Sequence, residues 1–179
     1  MTYSECEDSD AVEVDGICFE TLVPERVLTI SNKENVKTSI QFGIRVTNKT
    51  STPYRFIFFY LLPELQREDG QSVKLAYARN VTKAPSESDF LLANPGESLT
   101  SFIDAKFSWY DYKLRIGGYA RDGGVWHFDN LKLGTYRIRF TYQNLSAVKR
   151  LYRGKTIEGL WTGLVSTPFA VFSLVGAAS

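Results

Sequence analysis

Residues 134–142 read Gly-Thr-Tyr-Arg-Ile-Arg-Phe-Thr-Tyr, and they alternate between polar and apolar side chains more cleanly than any other stretch of the chain. Successive side chains of a β-strand point to opposite faces, so a period of two is typical of a strand with one face buried. The residues that share the apolar face are Tyr136, Ile138, Phe140 and Tyr142. This stretch therefore predicts a half-buried strand, whose outer face carries Arg137 and Arg139.

The same alternation continues outward from this strand in both directions. Residues 38–47 repeat it, and further strands are predicted near residues 16–22, 26–31, 73–78, 98–108, 112–117, 125–128 and 169–175. Glycine-containing turns separate many of these runs, and helical periodicity is nearly absent. The pattern predicts an all-β chain of about eight to ten antiparallel strands, folded as a sandwich or barrel.

The segment Trp126–Phe140 resembles the late strand–turn–strand of immunoglobulin-like and fibronectin-like sandwiches. Leu133 and Gly134 precede Tyr136, which opens the alternating strand. The resemblance implies an immunoglobulin-like β-sandwich in which Tyr136 forms a tyrosine corner, its hydroxyl bonding to backbone groups a few residues upstream. The chain departs from antibody domains because both of its cysteines, Cys6 and Cys18, precede residue 19. The resemblance implies no function, because such sandwiches host unrelated activities.

Charge is divided unevenly along the chain. The first twenty residues hold seven of the 20 acids and no Lys or Arg, so residues 21–179 carry all 21 basic residues against 13 acids. We predict an acidic, flexible arm at residues 1–15 followed by a single sandwich domain at residues 16–179. An arm that docks on the basic body is the alternative reading.

The compartment is predicted to be the cytoplasm. The first residues lack the basic and apolar regions of a secretory signal, and no window is apolar for long enough to cross a bilayer. Cys6 and Cys18 are accordingly expected to be free thiols.

Catalytic and cofactor motifs are lacking. His127 is the single histidine, neither cysteine has a nearby CxxC partner, and the glycine pairs match no phosphate-binding loop. Acids such as Asp104 and Asp122 are expected at turns or on the surface. We therefore predict a protein that is not an enzyme and that binds no metal or cofactor.

The run Tyr54–Leu62 is apolar on both faces of a predicted strand. A sandwich strand normally shows one face to water, so the second face needs a cover. A segment of the same chain, near residues 78–93, is one candidate for that cover. Otherwise Ile57, Phe59 and Leu61 form an interface with a partner or with a second copy of the chain.

Two loop regions are candidate binding surfaces. One is the glycine-rich region with Tyr119, Trp126 and His127, where exposed aromatic rings could anchor a partner. The other is a short basic cluster. Nucleic acid is nevertheless disfavoured as its partner, because the net charge of the whole chain is only +1. Its residues are Lys149, Arg150, Tyr152, Arg153 and Lys155.

Together these features predict a non-enzymatic protein-interaction module that presents loops from a rigid sandwich. A protease inhibitor is one specific form of such a module, and only the fold supports it. One alternative is a carbohydrate-binding module, which an exposed arrangement of Trp126 with Tyr110 or Tyr119 would favour. The others are a small hydrolase domain, which two carboxylates facing each other across a cleft would favour, and a structural subunit that forms homo-oligomers.

Overall fold

The structure is a computed structural model that describes residues 3–5, 10–33, 36–79, 83–152 and 154–177, with only the backbone for 3–5. Within these ranges it contains strands and one short 3₁₀ turn, Glu87–Asp89, so the all-β prediction is confirmed. The first nine strands are β1 (Tyr3–Glu5), β2 (Ala11–Val14), β3 (Ile17–Leu22), β4 (Val27–Ile30), β5 (Thr38–Asn48), β6 (Tyr54–Ile57), β7 (Pro63–Arg67), β8 (Ser72–Val73) and β9 (Leu75–Ala78). The remaining strands are β10 (Phe90–Ala93), β11 (Ser98–Tyr110), β12 (Lys113–Tyr119), β13 (Val125–Leu131), β14 (Gly134–Asn144), β15 (Lys149–Arg150), β16 (Thr156–Ile157), β17 (Gly163–Ser166) and β18 (Ala170–Gly176).

Two sheets account for most of these strands. The first has the order β1-β2-β3-β5-β11-β12-β13-β9, and the second has the order β4-β18-β14-β7-β8, with β17 also pairing with β14. Two-stranded pairs, β6 with β10 and β15 with β16, complete the described part. The described residues form eighteen strands instead of the predicted eight to ten, because pieces of two to four residues are too short to show a period in the sequence.

The sheets pack face to face through aromatic rings. The ring of Phe42 in β5 lies 5.2 Å from that of Phe172 in β18, and Phe19 in β3 lies 5.6 Å from Tyr142 in β14. Burial removes these rings from water, which is the main stabilising contribution to such a core. The predicted inward face of β14 is confirmed, because Tyr136, Ile138, Phe140 and Tyr142 are all buried.

One strand pair departs from the predicted antiparallel arrangement. The chain crosses from the first sheet to the second between β3 and β4, and β4 then lies parallel to β18, with Val27 opposite Ser173. Among the described residues the other paired strands are antiparallel.

The tyrosine corner is confirmed in detail. The hydroxyl of Tyr136 donates to the backbone carbonyl of Lys132 and accepts from the backbone N–H of Lys132, each at 2.9 Å. Both backbone groups of Lys132 are thereby satisfied at the tight connection between β13 and β14.

The N-terminal part of the chain includes strands of the first sheet. β2 pairs with β3, and Val14 is fully buried, so residues 11–14 belong to the sandwich. Cys18 is disulfide-bonded, so the expectation of a free thiol is wrong for this residue. Cys6 lies outside the described residues.

Candidate functional site

A cavity of about 530 Å³ lies where β14 runs past the start of β7. Its walls come from the segment between β6 and β7, from the C-terminal part of β14 and from the chain that leads into β15. The lining residues are Ile57, Tyr60, Leu61, Leu62, Pro63, Glu64, Leu75, Phe90, Thr141, Tyr142, Gln143, Asn144, Leu145, Lys149 and Leu160. A concave, mostly apolar cavity with a few polar groups is the usual form of a binding site.

The cavity exists because the apolar run Tyr54–Leu62 does not form one continuous strand. β6 ends at Ile57, residues 59–60 form a turn, and β7 begins only at Pro63. Proline lacks an N–H group and fixes φ, so Pro63 is suited to the first position of a strand. The predicted strand at residues 54–62 is therefore wrong beyond Ile57.

The candidate interface residues lie under cover within the chain. Ile57, Phe59 and Leu61 are 9%, 5% and 5% exposed. Ile57 and Phe59 form a small apolar cluster with Phe90, Ile157 and Leu160, and β10 pairs with β6. The structure thus shows the intramolecular cover, which includes Phe90 from the expected segment and also two residues near β16.

An open strand edge borders the cavity. On one side β14 pairs with β7, but that pairing ends where Phe140 lies opposite Pro63. On the other side residues Thr141–Asn144 pair with β17. In the described part of the chain, the last four residues of β14 therefore have a strand partner on one side only.

The alternation of backbone groups identifies which of them face the open side. The carbonyl oxygen of Phe140 accepts from the N–H of Thr167, on the β17 side, at 2.8 Å. Backbone groups of successive residues in a strand point to opposite sides. Those of Gln143 consequently face away from β17, toward the cavity side.

Tyr142 supplies a buried hydroxyl to the cavity lining. Its oxygen accepts from the N–H of Ile57 at 3.4 Å, and no hydrogen bond from its proton is seen to any described residue. Burial raises the pKa of Tyr142 to about 12, against a smaller lowering by the Ile57 N–H. The phenol consequently stays protonated at physiological pH and keeps a proton to donate.

Glu64 places a carboxylate at the rim. One oxygen accepts from the hydroxyl of Thr141 at 2.6 Å, and the other accepts from Nε of Arg139 at 2.8 Å. Partial burial raises the pKa of this carboxyl, but the bonds from Thr141 and Arg139 and the positive charge of Arg139 outweigh it and hold the pKa below its ordinary value. The carboxylate is thus ionised and its charge is neutralised by Arg139.

The predicted basic cluster forms the hairpin β15–β16 beside the cavity. Lys149 lines the cavity, Arg150 is exposed, and Tyr152 near the hairpin tip is 92% exposed. Lys155 forms an ion pair with Glu87. Arg153 lies outside the described residues. The structure therefore brings part of the basic cluster to the same place as the apolar run, which the sequence did not indicate.

The candidate surface predicted from Tyr119, Trp126 and His127 is not assembled as predicted. Trp126 is 0% exposed and faces the core, so its assignment as an exposed binding residue is wrong. Gly117 and Gly118 lie within β12 rather than at a turn, and they let β13 approach closely: a Cβ at Gly118 would lie 3.0 Å from Cζ2 of Trp126. The absence of a side chain there explains how the indole fits inside.

The other two residues of that surface are accessible but separately placed. Tyr119 is 79% exposed at the end of β12. His127 is half-buried, with Nε2 lying 3.3 Å from the carboxylate of Asp129, which also binds Arg115. The exposed platform of Trp126 with Tyr110 or Tyr119, which would favour sugar binding, is excluded by the burial of Trp126.

Asp122 lies in the turn between β12 and β13, as expected, but its side chain is buried there. It accepts from the hydroxyl of Tyr77, from the guanidinium of Arg79 at 3.0 Å and from the N–H of Gly124 at 3.0 Å. Burial raises the pKa of this carboxyl, yet these bonds and the charge of Arg79 together lower it. Its acceptor sites hold the β12–β13 turn against β9, which is a structural role.

Sequence reasoning missed Glu64, Tyr142, Gln143 and Leu145 as site residues. The first lies just beyond the apolar run, and the alternating pattern of β14 identifies Tyr142 only as a core residue. The one available signal was Pro63, which is suited to the first position of a new strand and so indicates that the run does not continue through it.

The groups that line the cavity are able to bind a ligand through apolar contacts and hydrogen bonds. Within the described ranges no three His, Cys, Asp or Glu side chains are grouped closely enough to hold a metal ion. Nor does any helix in this part of the chain have the length and apolar character to cross a membrane.

Comparisons with known proteins add little. No protein-family model matches the chain, and no curated protein matches it. A solved structure concerning AvmM, which catalyses macrocyclization in alchivemycin A biosynthesis, is similar over 99% of this chain and 97% of that one, at 14% identity and a TM-score of 0.30. A likeness at this level carries no argument about either fold or function.

Proposed function

We propose that the chain is a non-enzymatic protein-interaction module that binds its partner through the β15–β16 hairpin and the adjacent cavity. The observation that carries the proposal is the position of Tyr152, almost fully exposed on a basic hairpin beside an apolar cavity. Tyrosine and arginine side chains are enriched in binding hot spots, and loops on a rigid scaffold are where binding residues concentrate.

We further propose that the scaffold is immunoglobulin-like. The neighbours β7-β14-β18 match the C-F-G order of such folds, with the tyrosine corner on the F-like β14, and β3-β5-β11 match A-B-E. The arrangement departs from the pattern at β12, which follows its neighbour β11 in sequence, whereas strand D precedes E. A protease inhibitor is one form that such a module takes, with the hairpin as the inserted loop.

Photo-crosslinking tests the proposed function. A photoreactive phenylalanine analogue at position 152 should capture one or a few discrete proteins from an extract of cells that express the chain. The matched control places the same group at Tyr112, which is 84% exposed on the β11–β12 hairpin. Equal capture at both positions, or no capture at position 152, would contradict the proposal.

Two alternatives have different outcomes. A carbohydrate-binding module now depends on Tyr110 and Tyr112, with Arg115 stacked 4.5 Å from the centre of the Tyr110 ring. A positive glycan array that the variant Tyr110→Ala abolishes, with no protein captured, would favour it. A homo-oligomerising subunit would show a multiple of the chain mass in light scattering.

The cytoplasm remains our proposed compartment on the sequence argument alone. The disulfide at Cys18 is more typical of oxidising compartments and counts against it. Thiol labelling of the protein from its native cells, with and without a reductant, decides this point.

A further inference from the structure

We propose that the open edge of β14 at residues Thr141–Asn144 accepts an extended peptide of the partner as an added strand, with one bulky apolar side chain in the cavity and acidic residues facing Lys149 and Arg150. This inference rests on the proposed function, since it names how the partner would be held. The peptide would pair with β14 beyond Pro63, the first residue of β7, where the pairing of β14 with β7 stops.

The backbone of β14 provides the first argument. The N–H and C=O of Gln143 face the open side, next to the cavity. Strand addition satisfies such groups with main-chain hydrogen bonds, while pockets that receive alternate side chains provide specificity. Exposed edges are normally shielded by charges, proline or bulges. Here the neighbouring surface is a concave apolar cavity.

The cavity provides the second argument. Its volume of about 530 Å³ exceeds that of a single large side chain, and its walls include Leu61, Leu62, Leu75 and Leu145. Tyr142 adds a hydroxyl whose proton is not used by any described residue. An apolar side chain would be removed from water there, and the phenol would donate to a neighbouring peptide carbonyl.

Charge provides the third argument and determines the kind of peptide. Glu64 is neutralised by its bonds to Arg139 and Thr141, so it offers little repulsion. Lys149 lines the cavity and is exposed, and Arg150 follows it on the exposed strand β15. These two cations are complementary to acidic residues that flank the apolar anchor.

The first experiment selects ligands without assuming a partner. A displayed library of random ten-residue linear peptides is enriched on the folded protein. We expect a consensus with one bulky apolar residue and at least one Asp or Glu within three positions of it. Failure of any peptide to enrich over an empty-support control, or a consensus without acids, would overturn the proposal.

A backbone scan of a selected peptide separates strand addition from simple cavity filling. The peptide is synthesised with one N-methyl group at each position in turn, and its affinity is measured by fluorescence polarisation. Methylation at alternate residues should weaken binding at least tenfold, with less than twofold effects between them. A flat profile would mean that the cavity binds a side chain without strand pairing, which rejects the proposal.

A charge-reversal pair tests the electrostatic part. Lys149→Glu should lower the affinity for the acidic peptide at least tenfold. Lys113→Glu, on the exposed start of β12, should leave that affinity unchanged. Equal losses in the two variants would attribute the effect to net charge and count against the site. Unfolding midpoints of both variants establish that they are folded.

The outcomes also distinguish this proposal from the one on which it rests. Specific capture at position 152 combined with no peptide binding would leave the interaction module intact and remove strand addition. A chain dimer that Lys149→Glu dissociates would assign the open edge to a second copy and overturn the peptide proposal.

Discussion

Tyr136 and Tyr142 lie on the same buried face of β14, six positions apart, yet their hydroxyls have different surroundings. The Tyr136 hydroxyl makes two hydrogen bonds of 2.9 Å to Lys132, in a part of β14 flanked by β7 and β18. The Tyr142 hydroxyl accepts one bond of 3.4 Å, at the end of β14 where β17 is the single paired strand among the described residues. At the start of β14 the tyrosine hydroxyl has its hydrogen bonds satisfied by the backbone, whereas at the end of β14 the hydroxyl keeps a proton that no described residue accepts.

This difference shows how one sequence pattern can serve two purposes. A satisfied polar group in a fully packed position contributes to stability, whereas a proton and a strand edge left over beside a cavity are available to a ligand.

Removal of the Phe172 ring, which packs on Tyr136, should lower the free energy of unfolding more than the removal of either tyrosine hydroxyl. Phe172 stacks against Tyr136, with ring centroids 5.8 Å apart, and is buried. We expect Phe172→Ala to lower the free energy of unfolding by about 3–5 kcal/mol, because it leaves a cavity in the core. Urea denaturation measures this, with Val171→Ala on the exposed face of β18 as a control that should change it by less than about 0.5 kcal/mol.

The two hydroxyls should differ when each is deleted. Tyr136→Phe leaves the Lys132 N–H and C=O without their partner, so we expect a loss of about 1–3 kcal/mol of unfolding free energy. Tyr142→Phe removes one long bond, and we expect a loss below about 1 kcal/mol. Equal losses in the two variants, measured by the same denaturation assay, would show that the open end is as tightly bonded as the corner.

Glu64, at the rim of the cavity, should make the stability of the protein depend on pH. Its pKa is lower in the folded protein than the ordinary 4.5, so its stabilising contribution is present above that value and disappears as pH falls through the folded pKa. We expect the wild-type unfolding midpoint to decline more steeply below about pH 4.5 than that of Glu64→Gln. Parallel curves for the two proteins would mean that the bonds to Arg139 and Thr141 do not persist in solution.

Tyr152 should show the smallest effect on stability. Its side chain is almost fully exposed, so Tyr152→Ala should change the unfolding free energy by less than about 0.5 kcal/mol. The same variant should also bind the protein captured at position 152 more weakly than the wild type does, as measured by direct titration of the two purified proteins. Tyr112→Asn serves as the control for this binding, since asparagine tolerates the positive φ of 60° at that position. A large loss of stability in Tyr152→Ala would show that the hairpin packs on the body.

Much of the fold followed from alternation, and little of the site did. The period of two predicted the inward face of β14, and the resemblance of the Leu-Gly-x-Tyr stretch to the corner of immunoglobulin-like sandwiches implied the role of Tyr136, because both depend on a short continuous stretch of the chain. Burial of Trp126 depended on Gly117 and Gly118 of the neighbouring strand, which is information from a strand pair. The cavity depends on where the pairing between β7 and β14 stops. The register between two strands that are distant in sequence cannot be deduced from either segment alone.

The disulfide at Cys18 and the split of the apolar run illustrate the same limit. Spacing between cysteines does not determine their redox state. The sequence of a run such as Tyr54–Leu62 is compatible with one long strand. Whether the strand is interrupted depends on which other segments pack against its apolar side chains. Here Phe90, Ile157 and Leu160 do so, from parts of the chain that lie far apart in sequence.

The parallel pairing of β4 with β18 has a consequence for synthesis. Val27 lies opposite Ser173, so β4 leaves the ribosome long before its partner strand has been made. Until then, the buried side chains of Leu28 and Ile30 lack that neighbouring strand. Contacts between segments so distant in sequence form slowly, because a long loop must close first. The nascent chain should therefore be most exposed to chaperones and to aggregation during translation of the central strands, and β4 should join its sheet only near the end of that process.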